Sequence, residues 1–252
     1  MALPIWFLLG LAAVAATLAI ALLGYAKSAK SRSTDDGSGM LRVTRVIALV
    51  YGAVMLMVTI TGVASTLFDR EVSVTVPTRE FWPMLRPGTE IVDGPSAEIV
   101  AGGFTEATLT IADLGMDARL LLAGHGAILG LSHVLVAIVV ALLCQRLLVG
   151  DPFRRVLSRS VAIVAAVIAA GGFVAQVLFG IGSSVASEQA LRISGWSSTS
   201  TLPTDDTSPG LPEPTFALNI DFTPLLIGLA LVAVASAFRY AERLQRDTEG
   251  LV

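Results

Sequence analysis

The chain is poor in the residues from which most enzymes and soluble domains are made. A single cysteine, Cys144, stands among 252 residues, which excludes an internal disulfide and leaves the redox compartment unmarked. Two histidines occur, His125 and His133, both inside one apolar run. The polar segments therefore have no histidine to activate their serines, which argues against a serine–histidine hydrolase. Charged residues make up 15% of the chain, against roughly 25% in soluble domains. With a formal net charge of -3 and no interleaving of basic and aromatic side chains, nucleic-acid binding is not expected. The phosphate-loop, dinucleotide and paired-zinc spacings are missing. Carboxylates are absent from every long apolar run, which argues against an ion-coupled transporter or proton pump.

What is present is hydrophobicity: 54% of residues are hydrophobic and the mean hydropathy is +0.76. A helix that crosses a bilayer needs ~20 mainly apolar residues. Five runs meet or approach this: Leu3 to Tyr25, Val46 to Phe68, Leu120 to Gln145, Ser160 to Ser187, and Phe222 to Phe238. The last holds 17 residues and reaches only ~26 Å at the rise of a helix, so it is expected to borrow a turn at one end.

Charge alternates between these runs. Lys27, Lys30, Arg32, Arg42 and Arg45 fill the first connection, Arg146, Arg154, Arg155 and Arg159 the third, and Arg239, Arg243 and Arg246 the tail. The second and fourth connections are acidic on balance. By the positive-inside rule the N-terminus is outside, the C-terminus is cytoplasmic, and loops 69–119 and 187–221 face outward. The first run has no basic residue before it, exceeds the short core of a signal peptide, and is followed by the basic cluster. It is expected to be an uncleaved anchor.

The stretch "LLVGDPFRRVLSRSVAIVAA" reads as a cytoplasmic hairpin. Gly150 ends one helix, Asp151 caps the next, and Pro152 takes a favoured first position. Arg154, Arg155 and Arg159 then lie at the inner headgroups.

In the outward loops, "EVSVTVPT" (Glu71 to Thr78) and "ATLTIADL" (Ala107 to Leu114) alternate as half-buried strands. "ALRISGW" (Ala190 to Trp196) and "TFALNIDF" (Thr215 to Phe222) are two further strand candidates. Pairing across the loops would build one small sheet, since isolated hairpins are marginal. Phe81 and Trp82 are expected in a small core or at the membrane interface. The chain from the second run onward thus repeats a layout of span, strand-bearing loop and span.

His125 and His133 are eight positions apart, ~12 Å along a helix, too far to share a metal ion. A structural role, hydrogen-bonded to a neighbouring helix, is expected, with a proton-linked role as the alternative. "GAILG" (Gly126 to Gly130) is a small-xxx-small pattern that permits close helix approach. Gln176 is a candidate for an interhelical hydrogen bond. The apolar positions Tyr240, Leu244 and Leu251 predict that the fifth helix continues into the tail for at least two turns.

"GDPFRRV", the run after it, and the C-terminal "FTPLLIGLALVAVASAFRYAERLQRDTEGLV" resemble the bacterial membrane family known as domain of unknown function 2975 (DUF2975). The resemblance covers 46–252 and implies four spans, an inner Pro-Phe turn and a charged Leu-rich tail. The anchor run departs from that pattern. Some members are encoded beside a small helix-turn-helix regulator, which implies an accessory or regulatory role, and the family carries over no catalytic residues.

The expected fold is therefore membrane all-α. It is a five-span transmembrane helical bundle of the bacterial plasma membrane, a four-span core (46–252) plus an N-terminal anchor and basic loop (1–45), with a small extracytoplasmic β-rich cap. No catalytic, cofactor or metal residues are expected. The expected partners are the lipid bilayer and a protein partner or second copy, met through membrane helices or the cytoplasmic tail. A non-catalytic accessory, sensory or regulatory protein is the first reading; a small-molecule transporter or channel-like subunit is the second.

Overall fold

The computed structural model describes residues 36–83, 96–97, 99–149, 155–195 and 211–249. The first apolar run, the Gly-Asp-Pro-Phe turn, Trp196 and the centres of both long loops lie outside these residues. The elements in order are α1 (Asp36–Phe68), β1 (Glu71–Phe81), β2 (Phe104–Ala112), α2 (Met116–Val149), α3 (Arg155–Leu191) and α4 (Thr223–Glu249). Each of the four later apolar runs is thus a helix, and both strands fall where alternation places them. Three helical stretches, Ser38–Phe68, Met116–Val149 and Arg159–Leu191, are long and apolar enough to cross a membrane; Thr223–Ala237 is a shorter apolar helix. α4 continues through the charged tail to Glu249, as the spacing of Tyr240 and Leu244 predicts.

Contacts divide the protein into two compact units. A helical unit takes the described parts of 1–64, 124–176 and 220–252, and a sheet-bearing unit takes 65–123 and 177–219.

In the sheet-bearing unit β1 and β2 pair antiparallel, Glu71 opposite Ala112 and Val76 opposite Ala107, with an irregularity between Pro77 and Phe81. The period of two sends Val72, Val74 and Val76 to one face, where they are buried with Leu114, Ala118 and Ala186. A two-stranded hairpin is marginal alone; here the ends of α2 and α3 within this unit cover its apolar face. The turn from β2 into α2 passes through Asp113 at φ 54°, a left-handed conformation that aspartate tolerates better than most residues.

Two strand expectations fail. Ala190 and Leu191 belong to α3, and 192–195 form no strand. The helix persists because Ala186, Ser187 and Leu191 recur at helical spacing on the face that meets the hairpin, overriding the brief Leu–Ile alternation. Thr215 to Phe222 enters no ladder; a single bridge, Thr78 to Pro214, ties the residue before it to β1. Pro212 and Pro214 lack the N–H that a strand must donate. Ala217 instead donates its N–H to the Ser184 hydroxyl of α3. Among the described residues the strand-bearing layout is therefore not repeated in the second loop.

In the helical unit small residues set the spacing. A Cβ on Gly130 would overlap Thr59 of α1, and one on Gly52 would stand 3.1 Å from the Ala137 Cβ. Gly172 lies against Pro224, and Gly228 against Ala165 and Ala169. These pairs run in opposite senses along each helix couple, so α1 against α2 and α3 against α4 are antiparallel.

Candidate functional site

Each unit carries its own set of organised polar groups. In the sheet-bearing unit the centre is Arg119, in the first turns of α2 and only 6% exposed. Its Nε donates to the Leu114 carbonyl at 2.8 Å. Its Nη1 donates to Asp69 at 2.6 Å, with Thr66 and Leu67 at 3.1 and 3.4 Å, and Nη2 to Arg70 at 3.3 Å. All five acceptors are backbone carbonyls, and Thr66 and Leu67 belong to the last turn of α1. A helix C-terminus has unpaired carbonyls and the negative end of its dipole, so the planar guanidinium fork meets both needs. Nearby, Ser187 donates to the Pro77 carbonyl at 2.6 Å. Gln189 accepts from the Gly115 N–H and donates to Asp117. Arg79 pairs with Glu213 at 2.6 Å on the surface. The chemistry here is that of a clasp. Arg119 was read from the sequence only as the end of a loop, and nothing in its local pattern distinguishes it.

The helical unit has two polar ends. The antiparallel pairings carry Arg45 of α1 to the level of Arg146 of α2, and Arg159 of α3 to that of Arg239 of α4. At the opposite end the His125 Nδ1 hydrogen-bonds the Ala175 carbonyl of α3 at 2.8 Å, joining two helices as the sequence leads one to expect. One residue on, Gln176 closes a two-point clamp on Asp221, donating to its carbonyl at 2.9 Å and accepting from its N–H. The expected interhelical role of Gln176 is thus met just before α4 begins. Asp221 Oδ1 in turn accepts from the Thr223 hydroxyl at 2.6 Å and from its N–H at 2.9 Å. These two bonds, the hydroxyl's first, hold the Asp221 carboxyl below its ordinary pKa.

Between the two ends lies an apolar slab. From Arg159 to Gln176 it spans ~25 Å, and from His125 to Arg146 ~32 Å, at the rise of a helix. α4 holds 27 residues, Thr223–Glu249, and its apolar part, Thr223–Ala237, is shorter than the three long apolar helices.

His133 departs from expectation. Its Nδ1 bonds the Leu129 carbonyl of its own helix at 2.8 Å, and it is exposed on the surface of the unit. The GAILG pattern also divides. Gly130 is used against Thr59 within this chain, whereas a Cβ on Gly126 would meet nothing.

A groove of about 330 Å³ opens on this unit, lined by α2, α3 and the start of α4. His133 and Asp221 both face it, with Ser132 and Thr223 beside them. Among the described residues no three His, Cys, Asp or Glu side chains come together as metal ligands. No protein-family model matches the chain, and no curated protein or solved structure matches it.

Proposed function

We propose that the chain is a five-span protein of the bacterial plasma membrane, N-terminus outside and C-terminus cytoplasmic. It would be kin to the DUF2975 family and act as a non-catalytic accessory, sensory or regulatory protein through partners. The observation that carries the membrane part is the apolar slab of the helical unit, bounded by arginines at one end and by the His125–Gln176–Asp221 layer at the other. Its thickness matches the ~30 Å hydrocarbon core of a bilayer, and its outer surface presents Leu49, Leu56, Ile60, Leu131, Ile163, Phe173 and Leu229. The non-catalytic part is supported by how the buried polar groups are used. Among the described residues every buried side-chain nitrogen and oxygen has a hydrogen-bond partner, and Thr78, Arg119 and Ser187 use theirs to join one element to another.

Cysteine accessibility in intact cells tests the orientation. In a Cys144→Ser background, Ser38→Cys, Ser158→Cys and Thr248→Cys stay protected from an impermeant thiol reagent, and Ser96→Cys and Ser208→Cys react. Labelling of the first group before lysis would sink the five-span topology. Deleting Leu244 to Val252 tests the tail as a contact surface. Insertion is expected to persist and partner recovery from membranes to be lost; unchanged recovery removes the tail from the interface.

A further inference from the structure

The groove of the helical unit has a polarity that its neighbours do not cancel. Its walls are Leu129, Val136, Ile168, Pro224 and Ile227, with Leu129 and Val136 each 37% and Ile227 47% exposed. It is therefore open along the side of the unit. Its volume of about 330 Å³ falls in the range of small-molecule sites, roughly 300–1,000 Å³.

The donors of its lining are already committed. The Ser132 hydroxyl donates to the Ile128 carbonyl at 2.8 Å, and the Thr223 hydroxyl to Asp221 Oδ1. The Leu129 carbonyl can only accept, so the His133 Nδ1 is the donor in that bond. Among the described residues Nε2 has no partner, and neither has Asp221 Oδ2. What remains is acceptor capacity and one negative charge, and no lysine or arginine lines the groove. The Asp221 carboxylate has no cation beside it among the residues that line the groove, and an apolar surrounding strengthens any charge that pairs with it. An ammonium group answers this lining: it has three donors, no acceptor and a positive charge.

We propose that this groove binds a membrane-dissolved amphiphile bearing a protonated amine, its ammonium held by Asp221 and its apolar chain lying between α2, α3 and α4. The site rests on the membrane reading above, because the occupant enters laterally from the bilayer. A carboxylate-headed chain is repelled by Asp221, and a neutral chain fills the groove without answering its charge.

The test uses the full chain in phosphatidylcholine nanodiscs and three long-chain diazirine probes that differ only in their head: amine, alcohol and carboxylic acid. Cross-linked peptides are mapped by mass spectrometry. The amine probe is expected to label the groove peptides around Leu129–Val136 and Pro224–Ile227 roughly tenfold more than the alcohol, the ratio one charge-assisted hydrogen bond supports. Asp221→Asn keeps the local turn, which asparagine also forms, and is expected to bring amine labelling down to the alcohol's level. Val136→Trp fills the groove with Asp221 intact and is expected to remove the amine enrichment as well. Equal groove labelling by amine and alcohol, or an enrichment that survives Asp221→Asn, overturns the inference. The alcohol probe reports the membrane reading separately by labelling the outward apolar faces of all four helices. Its failure to label any of them would overturn that reading, and the inference with it.

Discussion

The two units are built on opposite plans. The sheet-bearing unit buries Val72, Val74, Val76 and Leu114 in a core and fixes its edges with Arg119, Ser184 and Ser187, the arrangement that water enforces. The helical unit buries mostly small residues, Ala48, Ala137, Ala141, Ala165, Ala175 and Ala235 with Cys144, Val161 and Val164, and leaves many Leu, Ile and Phe side chains exposed. When the surroundings are as apolar as the side chains, moving a leucine inward gains little. Close backbone approach through small residues is then what holds helices together. On the membrane reading proposed above, one chain answers two solvents.

Arg119 is the sharpest point at which to break the sheet-bearing plan. Arg119→Leu removes the guanidinium that five carbonyls share and is expected to destabilise this unit by about 3 kcal/mol or more, the scale of a lost charge-assisted network. Thermal unfolding followed by hydrogen exchange across β1 and β2 measures it. Arg119→Lys is expected to recover only part of the loss, because a point charge cannot replace the fork. Unchanged protection in Arg119→Leu would show that the hairpin stands without its clasp.

The helical plan is challenged through its two paired glycines. Gly130→Leu forces α1 away from α2 and is expected to cost about 2 kcal/mol, in the range of overpacked cores. Gly126→Leu enters open space and is expected to change stability by less than about 0.5 kcal/mol. Unfolding in mixed micelles compares them. Equal losses would mean that both glycines are packed against another helix.

Ser187→Ala removes one buried hydrogen bond to Pro77 and is expected to cost about 1 kcal/mol, read as faster hydrogen exchange across β1 and β2. Unchanged exchange there would show that the bond adds nothing to the hairpin.

The smallest effect concerns pH. The Asp221 carboxyl titrates below its ordinary value, so its hold on Thr223 is complete above about pH 4 and is lost as pH falls through the lowered pKa. Amide exchange at the start of α4 is expected to quicken below that point. Asp221→Asn is expected to show no such pH dependence. A wild-type profile that stays flat through the acid range would remove this carboxylate from the start of α4.

The helices and the hairpin were legible because their patterns are long and repeated. Runs such as Leu120 to Gln145 have no alternative to a helix, and Val72, Val74 and Val76 repeat a period of two. "ALRISGW" offered only two alternating apolar residues, too few to outweigh the α3 face that continues through Ser187 and Leu191. "TFALNIDF" alternates as a strand would, but prolines beside it lack ladder donors and Ala217 donates to the Ser184 hydroxyl instead. The histidines looked alike in sequence and separated in space, since His125 meets Ala175 while His133 meets only its own helix. Arg119 carried no signal because its partners are carbonyls, which every residue has.

Composition and periodicity by themselves determined the four described helices, the hairpin and the segregation of charge. These depend on the order of apolar and polar residues along one strand of chain, and that order is written in the sequence. Tertiary structure alone decided that Arg119 clasps the end of α1, that Gly130 and not Gly126 is packed, and that His133 and Asp221 share a groove. Each of these depends on which distant segment lies alongside, and a hydrogen bond or a close approach to such a segment leaves no periodic trace in the chain that makes it.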